Sequence, residues 1–442
     1  MVFKFIKYTQ PAWQFNITPK SSGPFASCSI TEEKLNHECV DNSYQTQSAK
    51  LADTAYSLWN KGELLQSTAE ELKQLEKLPE PTLHDEYIFI KKYWGTAWVL
   101  FALLIRLITF KNIFKEIKAF RASRNIKQVN AYNNPVKYKD YETFESSLIK
   151  SNPSVAVIIP TLNRYQYLKD ALHDLENQSY KNFMVIVVDQ SEDFNGKFYN
   201  QFSLDIHVYS QKEKKLWTAR NSAVKQSKED YLLFFDDDSR VAPNWIYEHL
   251  KCIDFFTADI SAGVSLAEQG QKVPANYSFF RWADQFDSGN AMVKRTVFKS
   301  IGLFDEQFNG MRMGDGEFGL RAYINGFKSI SNPKASRIHL KAGTGGLREM
   351  GSWDGFRPKK WFAPKPVPSV IYLYKKYFPK HLYKNAILIG IILSNIFYKH
   401  KRSRNMLLLS VALSIIKSPL LYIQYCRSKK IANKMLQSAG AI

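Results

Sequence analysis

The chain has 442 residues, a formal net charge of +20, 45% hydrophobic residues and 14% aromatics, which excludes a mainly disordered chain. That length admits one large domain with extensions, or two to three domains. Cys28, Cys39, Cys252 and Cys426 lack CxxC spacing, which argues against a disulfide scaffold or zinc site and fits a reducing compartment.

Residues 1–47 are irregular, with Pro11, Pro19 and Pro24. Met1 to Lys7 is basic but has no apolar h-region or small-residue cleavage site, so no signal peptide is expected. Ser48 to about Leu78 has helical spacing through Leu51, Ala55, Leu58, Leu64, Leu65, Leu72 and Leu75, and Pro79-Glu80-Pro81 stops it. Trp94 to Phe110 is strongly apolar but contains Arg106. Its length and that charge favour a helix lying in a membrane plane or docked on a domain over a spanning one. The polar stretch from Gln128 to Pro153 reads as a linker.

From Val155 the texture alternates between strand and helix signals. Val155–Ile159 is a buried strand, and Arg164–Asn177 is a helix with Leu168, Ala171, Leu172 and Leu175 on one face. Phe183–Val188, Tyr231–Phe235 and Ser329–Leu340 are strands; Leu216–Gln226 and Pro243–Phe256 are helices. This alternation predicts an α/β fold with a mostly parallel sheet flanked by helices. In such sheets ligands gather at the carboxyl ends of the strands. The first strand runs into Pro160-Thr161-Leu162-Asn163-Arg164, the second into Asp189-Gln190-Ser191, and Tyr231–Phe235 into Asp236-Asp237-Asp238. Three adjacent carboxylates repel one another unless a cation lies between them, and a divalent metal with phosphates is the simplest such partner. Taken alone, the run is equally consistent with a solvated acidic turn.

These segments, with Ala219-Arg220-Asn221, Gly289-Asn290-Ala291-Met292, Gly302-Leu303-Phe304-Asp305 and Gly314-Asp315-Gly316-Glu317, resemble the ordered motifs of family 2 nucleotide-sugar glycosyltransferases over about residues 153–350. The resemblance implies a GT-A fold, a Rossmann-like sandwich, and inversion at the anomeric carbon. It places Thr161 and Asp189 on the donor nucleotide, Arg220 on its diphosphate, and Asp236 and Asp237 on the ribose or the metal's waters. Gln190 stands where many members have a second Asp, which leaves uridine and deoxythymidine both open. Asp238 would ligate Mn²⁺ or Mg²⁺, with His339 a candidate further ligand, and Asp315 would be the general base. Beyond His339 and Lys341, the Gly343-Thr344-Gly345-Gly346-Leu347-Arg348 loop suits a flap over a diphosphate, with Arg348 as a clamp. Trp282, Asp284 and Asp287 lie where the acceptor side is expected.

From Pro358 to Ile442 there are sixteen Lys or Arg and no Asp or Glu, interleaved with apolar runs at Ala386–Phe397 and Met406–Ile423. Neither run is a clean span of about 20 apolar residues. The pattern suits amphipathic helices on an anionic membrane surface. Nucleic acid is the competing partner for such charge, but it has no use for the Leu/Ile runs.

The expected organisation is therefore a helical extension over 1–130, a linker over 131–152, a GT-A domain over 153–350, and a basic, membrane-associating helical tail over 351–442. The expected activity is transfer of a sugar from a UDP- or dTDP-sugar to a glycan or lipid-linked acceptor, at the cytoplasmic side of the cell membrane, in cell-surface glycan synthesis. No Gln-x-x-Arg-Trp motif follows Asp315, so single-sugar addition is preferred to processive polysaccharide synthesis. A non-catalytic basic binding protein is the reading from another class.

Overall fold

The computed structural model describes residues 2–9, 17, 23–24, 31, 40–267, 270–284, 286–343, 346–347, 354–358, 360–395 and 404–439. The N-terminal part is helical: α1 (Gln47–Lys61), α2 (Ala69–Glu76), α3 (Leu83–Trp94), α4 (Thr96–Ile108) and α5 (Ile113–Ala122). The single helical pattern expected from 48 to 78 is cut at Gly62, which ends α1 at φ +94°. A side chain there would meet the Phe280 carbonyl, so glycine serves both the turn and the close approach. Capping boxes at Thr68/Glu71 and Thr82/Asp85 start α2 and α3.

The apolar helix expected at about 94–110 begins after Gly95 and is α4, 13 residues long, or roughly 20 Å, short of a bilayer core. Arg106 is neutralised by Glu116 of α5 at 2.6 Å. One side of α4 packs through Val99 and Ala102, while Leu100, Leu104 and Ile108 are exposed. Residues 131–152 are less free than a linker. Tyr141 is buried among Phe255, Phe256 and Phe280, and Ser146 donates to Asp254 at 2.6 Å.

The centre is a nine-stranded sheet. Its elements are β1 (Val155–Thr161), α6 (Tyr165–Glu176), β2 (Phe183–Asp189), β3 (Ile206–Ser210), α7 (Leu216–Gln226), β4 (Tyr231–Phe235), β5 (Ser239–Val241), α8 (Trp245–Phe255), β6 (Ile260–Leu266), β7 (Arg281–Trp282), β8 (Asn290–Lys294), α9 (Arg295–Ile301), α10 (Gly314–Ile324) and β9 (Ser329–His339). The order is β3-β2-β1-β4-β8-β6-β9-β5, with β7 on β9. The expectation of a mostly parallel sheet holds only for β3, β2, β1 and β4. Beyond β4 the sheet is mixed: β8 is antiparallel to both neighbours, β9 is parallel to β6, and β5 and β7 are antiparallel to β9.

Every residue of β1 and β4 is buried, as their continuous apolar runs require. Alternation divides them between two layers. Ala156, Ile158, Leu232 and Phe234 face one core with Trp217 and Phe318. Val157, Ile159, Leu233 and Phe235 face the other with Leu168, Leu172 and Trp245. Each fully buried phenylalanine contributes on the order of 2–3 kcal/mol.

The C-terminal helices are α11 (Pro368–Tyr377), α12 (Lys380–Leu393), α13 (Arg404–Ile416) and α14 (Ser418–Ala439). Among the described residues no single helix is long and apolar enough to cross a membrane. One pair, Leu409–Ile416 with Ser418–Ser438, qualifies together but bends by 76°. The turn Lys4–Tyr8 touches both α4 and α12, so the apolar segments from the two ends of the chain lie side by side in space.

Candidate active site

Parallel pairing sets Thr161 beside Asp189, and β4 runs next to β1. The three polar strand ends therefore meet at one edge. The Asp run does not point one way. Asp237 turns inward, accepting from Thr161 Oγ1 at 2.8 Å and Arg164 Nη1 at 3.1 Å. Burial pushes its carboxyl up to about 7 despite Arg164, and the neighbouring Asp238 adds to the rise. Asp237 is thus held in the wall of the site by Thr161 and Arg164.

Asp238 accepts from Arg164 Nη1 at 3.2 Å and from the Ala342 backbone N–H at 3.0 Å, with His339 Nε2 at 3.2 Å. Burial opposes its ionisation, but the hydrogen bond and charge of His339 outweigh that and hold the carboxyl below its ordinary value. Strand register brings His339 there. It pairs with Ser239, the residue after Asp238, once β9 has shifted register between Asn332 and Ser336. Asn332 Oδ1 stabilises that irregularity by accepting from the Lys334 and Ala335 backbone N–H groups.

Asp236 accepts from Arg220 Nη2 at 2.9 Å and Arg337 Nη1 at 2.7 Å. Arg337 also donates to both oxygens of Asp287, at 3.1 and 3.0 Å, and to Ser265 and Ser239. Asp287 lies below its ordinary carboxylate value; burial works against this, and the charge of Arg337 prevails. Arg220 is 2% exposed and stacks 5.2 Å from the Trp217 ring. Among the described residues its Nε has no hydrogen-bond partner. Burial lowers its pKa despite the charges of Asp236 and Asp315. It therefore acts on Asp236 from beneath the site.

Asp315 is the second residue of α10. Its Oδ1 accepts from the Ser288 backbone N–H at 3.0 Å and from Ser288 Oγ. The glycine before it is sterically required, because a Cβ on Gly314 would lie 2.2 Å from the Trp217 ring. The adjoining Gly289 is equally constrained: a Cβ there would come within 2.1 Å of Asp236 Oδ2. The turn Asp287-Ser288-Gly289 thus links Asp315 on one side to Asp236 and Arg337 on the other. Glu317, two residues on, is fully buried and bound to Arg321, Lys376 and Tyr377. It ties α10 to α11.

Asp189 is spoken for internally. Tyr165 and Tyr199 donate to its Oδ2 at 2.6 and 2.8 Å, and the Ser191 backbone N–H donates to Oδ1. Of the glycine-rich loop, Gly346 reaches the end of β1. The Gly346 N–H donates to the Leu162 carbonyl at 2.8 Å, and a Cβ on Gly346 would sit 2.3 Å from the Arg164 guanidinium. Arg348 lies outside the described residues. On the expected acceptor side, Trp282 is buried, Asp284 accepts from Arg281 at 2.9 Å, and Asp284 and Asp287 line a cavity of about 50 Å³.

Asp236, Asp238 and His339 each offer one ligand atom, and these atoms lie within 4.8 Å of one another. The set extends the expected pair of Asp238 and His339 by one carboxylate. Hard carboxylate oxygens suit Mg²⁺ or Mn²⁺, so the residues fit the implied metal. Arg164 and Arg337 carried no expected role. Arg337 lies two residues before His339, beyond the register shift of β9, so that both face the same side of the strand.

Residues 156–313 match the family model "Glycosyl transferase family 2". Glycosyltransferase GlyA of Streptococcus pneumoniae is 32% identical over 113 residues, 25% of this chain and 16% of that protein. An uncharacterized glycosyltransferase of Rickettsia typhi is 27% identical over 174 residues, 35% of this chain and 54% of its own length. The chain thus spans at most about half the length of these two relatives. Staphylococcus aureus TarS, residues 1–349 in complex with UDP-GlcNAc, overlays with a TM-score of 0.43 at 17% identity, covering 64% of this chain and 81% of TarS 1–349. Motif order, the meeting of the strand ends and the matched segment agree that residues 156–313 carry a glycosyltransferase family 2 domain.

Proposed function

We propose that the protein is an inverting glycosyltransferase that moves a sugar from a nucleoside-diphosphate donor, a UDP- or dTDP-sugar, to an acceptor hydroxyl. The observation that carries this reading is the grouping of Asp236, Asp238 and His339 on one side of the Asp287–Gly289 turn, with Asp315 on the other. A divalent cation held by the three ligands supplies, when bound, positive charge that stabilises the departing diphosphate. Arg337 and Arg220 hold Asp236 in place for this, while Arg164 does the same for Asp237 and Asp238. Asp315 takes the proton of the attacking hydroxyl. Its hydrogen bonds from Ser288 orient the carboxylate and leave Oδ2 for the acceptor.

The setting we propose is the cytoplasmic face of the cell membrane, in peripheral or monotopic association, with a glycan or lipid-linked acceptor and one sugar added per encounter. The exposed apolar faces of α4, α13 and α14 and the charge of the tail support it. The test is turnover of a panel of UDP- and dTDP-sugars with Mn²⁺ or Mg²⁺, following nucleotide release and the anomeric configuration of the product. Metal-dependent release with an inverted product is expected. A retained configuration overturns the inverting mechanism, and the absence of turnover with every donor overturns the enzyme reading.

A further inference from the structure

A second polar cavity lies far along the chain from the strand ends. It has a volume of about 410 Å³ and is lined by Arg357, Lys360, Trp361, Lys365, Lys417 and Gln424 among others. That volume is in the range of ligand sites, roughly 300–1,000 Å³. Its walls are tied together. The Gln424 side chain donates to the Trp361 carbonyl, the Gln424 carbonyl accepts from the Lys365 N–H at 3.3 Å, and Arg427 Nη1 donates to the Phe362 carbonyl at 2.8 Å. These bonds pin residues 361–365 along α14. Lys417 stands at the corner where α13 gives way to α14.

Besides Arg357 the cavity gathers Lys360, Lys365 and Lys417, and no Asp or Glu is among its described lining residues. No Asp or Glu occurs after residue 357. Lys365 is 8% exposed. Burial pushes its ammonium down to about 8, and among the described residues the charges acting on it, Lys417 and Arg357, have the same sign. Such a cluster is stabilised by an anion placed between its members. Trp361, which lines the cavity, is 76% exposed, and near Lys417 and Gln424 in the chain Ile415 is 70% exposed, Ile416 75% and Tyr422 69%. Cations recessed behind a greasy rim match the layering of a bilayer surface, where lipid phosphates lie at headgroup depth beside the upper acyl chains.

We propose that this cavity binds the phosphate group of a membrane lipid and so seats the C-terminal helices at headgroup level. The inference rests on the membrane reading above and narrows it from a charged surface to one site.

The test uses the full chain and three kinds of vesicle: phosphatidylcholine alone, phosphatidylcholine with phosphatidic acid, and phosphatidylcholine with oleate at matched surface charge. The bound fraction is measured by flotation, and calorimetry with inorganic pyrophosphate provides the soluble arm. Phosphatidic acid vesicles are expected to bind about fivefold more tightly than oleate vesicles, the effect of one well-placed cation at an anionic surface. Lys365→Gln with Lys417→Gln abolishes that preference. Lys417→Gln alone, a change at an exposed position that does not burden folding, reduces it. Lys429→Gln with Lys430→Gln removes the same charge from the exposed face of α14; it weakens binding to both anionic vesicles alike and leaves the preference intact. Equal binding to phosphate and carboxylate vesicles, or a preference that survives Lys365→Gln/Lys417→Gln, overturns the site while surface association stands. Pyrophosphate binding with no vesicle preference assigns the site to a soluble anion and overturns the lipid. No binding to vesicles of any composition overturns the membrane reading and this inference with it.

Discussion

The strand-end site and the C-terminal cavity solve the same electrostatic problem in opposite ways. At the end of β4 three carboxylates are crowded together, and Arg164, Arg220 and Arg337 reach in to balance them. In the C-terminal cavity Lys360, Lys365 and Lys417 gather around space, and no Asp or Glu is among the described lining residues. The first cluster sits on a sheet whose strands are fixed on both faces, so its counterions are part of the fold. The second is built from the C-terminal helices and a pinned segment, and no carboxylate among its described lining residues balances the lysines. A buried charge balanced from within shapes a site; one left to be balanced from outside marks where a partner binds.

Asp315→Asn gives the largest effect. It keeps the Ser288 contacts but removes the base, so kcat should fall by about 10²–10⁴-fold while donor binding persists. Nucleotide-release rates beside donor affinity check this. If kcat is unchanged, Asp315 only anchors the Ser288 turn to the start of α10.

Arg337→Met tests the built-in balance directly. It strands Asp236 and Asp287, both of which it neutralises, and should cost about 3–5 kcal/mol in denaturant unfolding. Adding Asp287→Asn should recover part of that. A cost near zero would mean that the arginine network holds nothing together.

Neither Arg337 nor the network around it was foreseen, and the reason is physical. The ends of β1, β2 and β4 are legible because a strand buried on both faces is a continuous apolar run, and its ligand-bearing end is the polar residue that follows. Arg337 becomes part of the site only because β9 changes register at Asn332, inside an eleven-residue strand. That shift, and the antiparallel insertion of β8 beside β4, depend on contacts between segments distant in sequence. Asp189 shows the opposite case. Its place at the strand end is legible, but Tyr165 and Tyr199, which donate to its carboxylate, sit in an α-helix and a 3-10 turn that local pattern does not connect to it. Gly62, which divides the N-terminal helical pattern in two, carried a readable signal that was passed over.

A third prediction concerns a buried titratable ring that the fold keeps neutral. His249 is fully buried between Ser261 Oγ at 2.9 Å and Asn290 Oδ1 at 3.2 Å, and burial lowers its pKa to about 4 from 6.5. The folded state therefore prefers the neutral ring. Its contribution to stability is complete above pH 6.5 and is lost as the pH falls toward 4, by roughly 3 kcal/mol over that window. Unfolding midpoints measured from pH 7 to 4 should show this slope, and His249→Gln should flatten it.

The smallest effect belongs to the cavity. Lys417→Gln removes one of several like charges at an exposed corner, so stability should change by less than about 0.5 kcal/mol, and in the favourable direction at low salt. Thermal unfolding at two salt concentrations decides it. A marked loss of stability would mean that Lys417 has a counterion within the fold, and the contrast between the two clusters would fail.

The central claim is that Asp236, Asp238 and His339 hold a divalent metal for the diphosphate of a nucleotide. Calorimetric titration of Mn²⁺ with and without UDP tests it most directly. The account predicts that UDP tightens Mn²⁺ binding, that Asp238→Ala and His339→Ala abolish this coupling, and that Asp315→Asn leaves it in place. Metal-independent UDP binding, or coupling that survives Asp238→Ala, would contradict it.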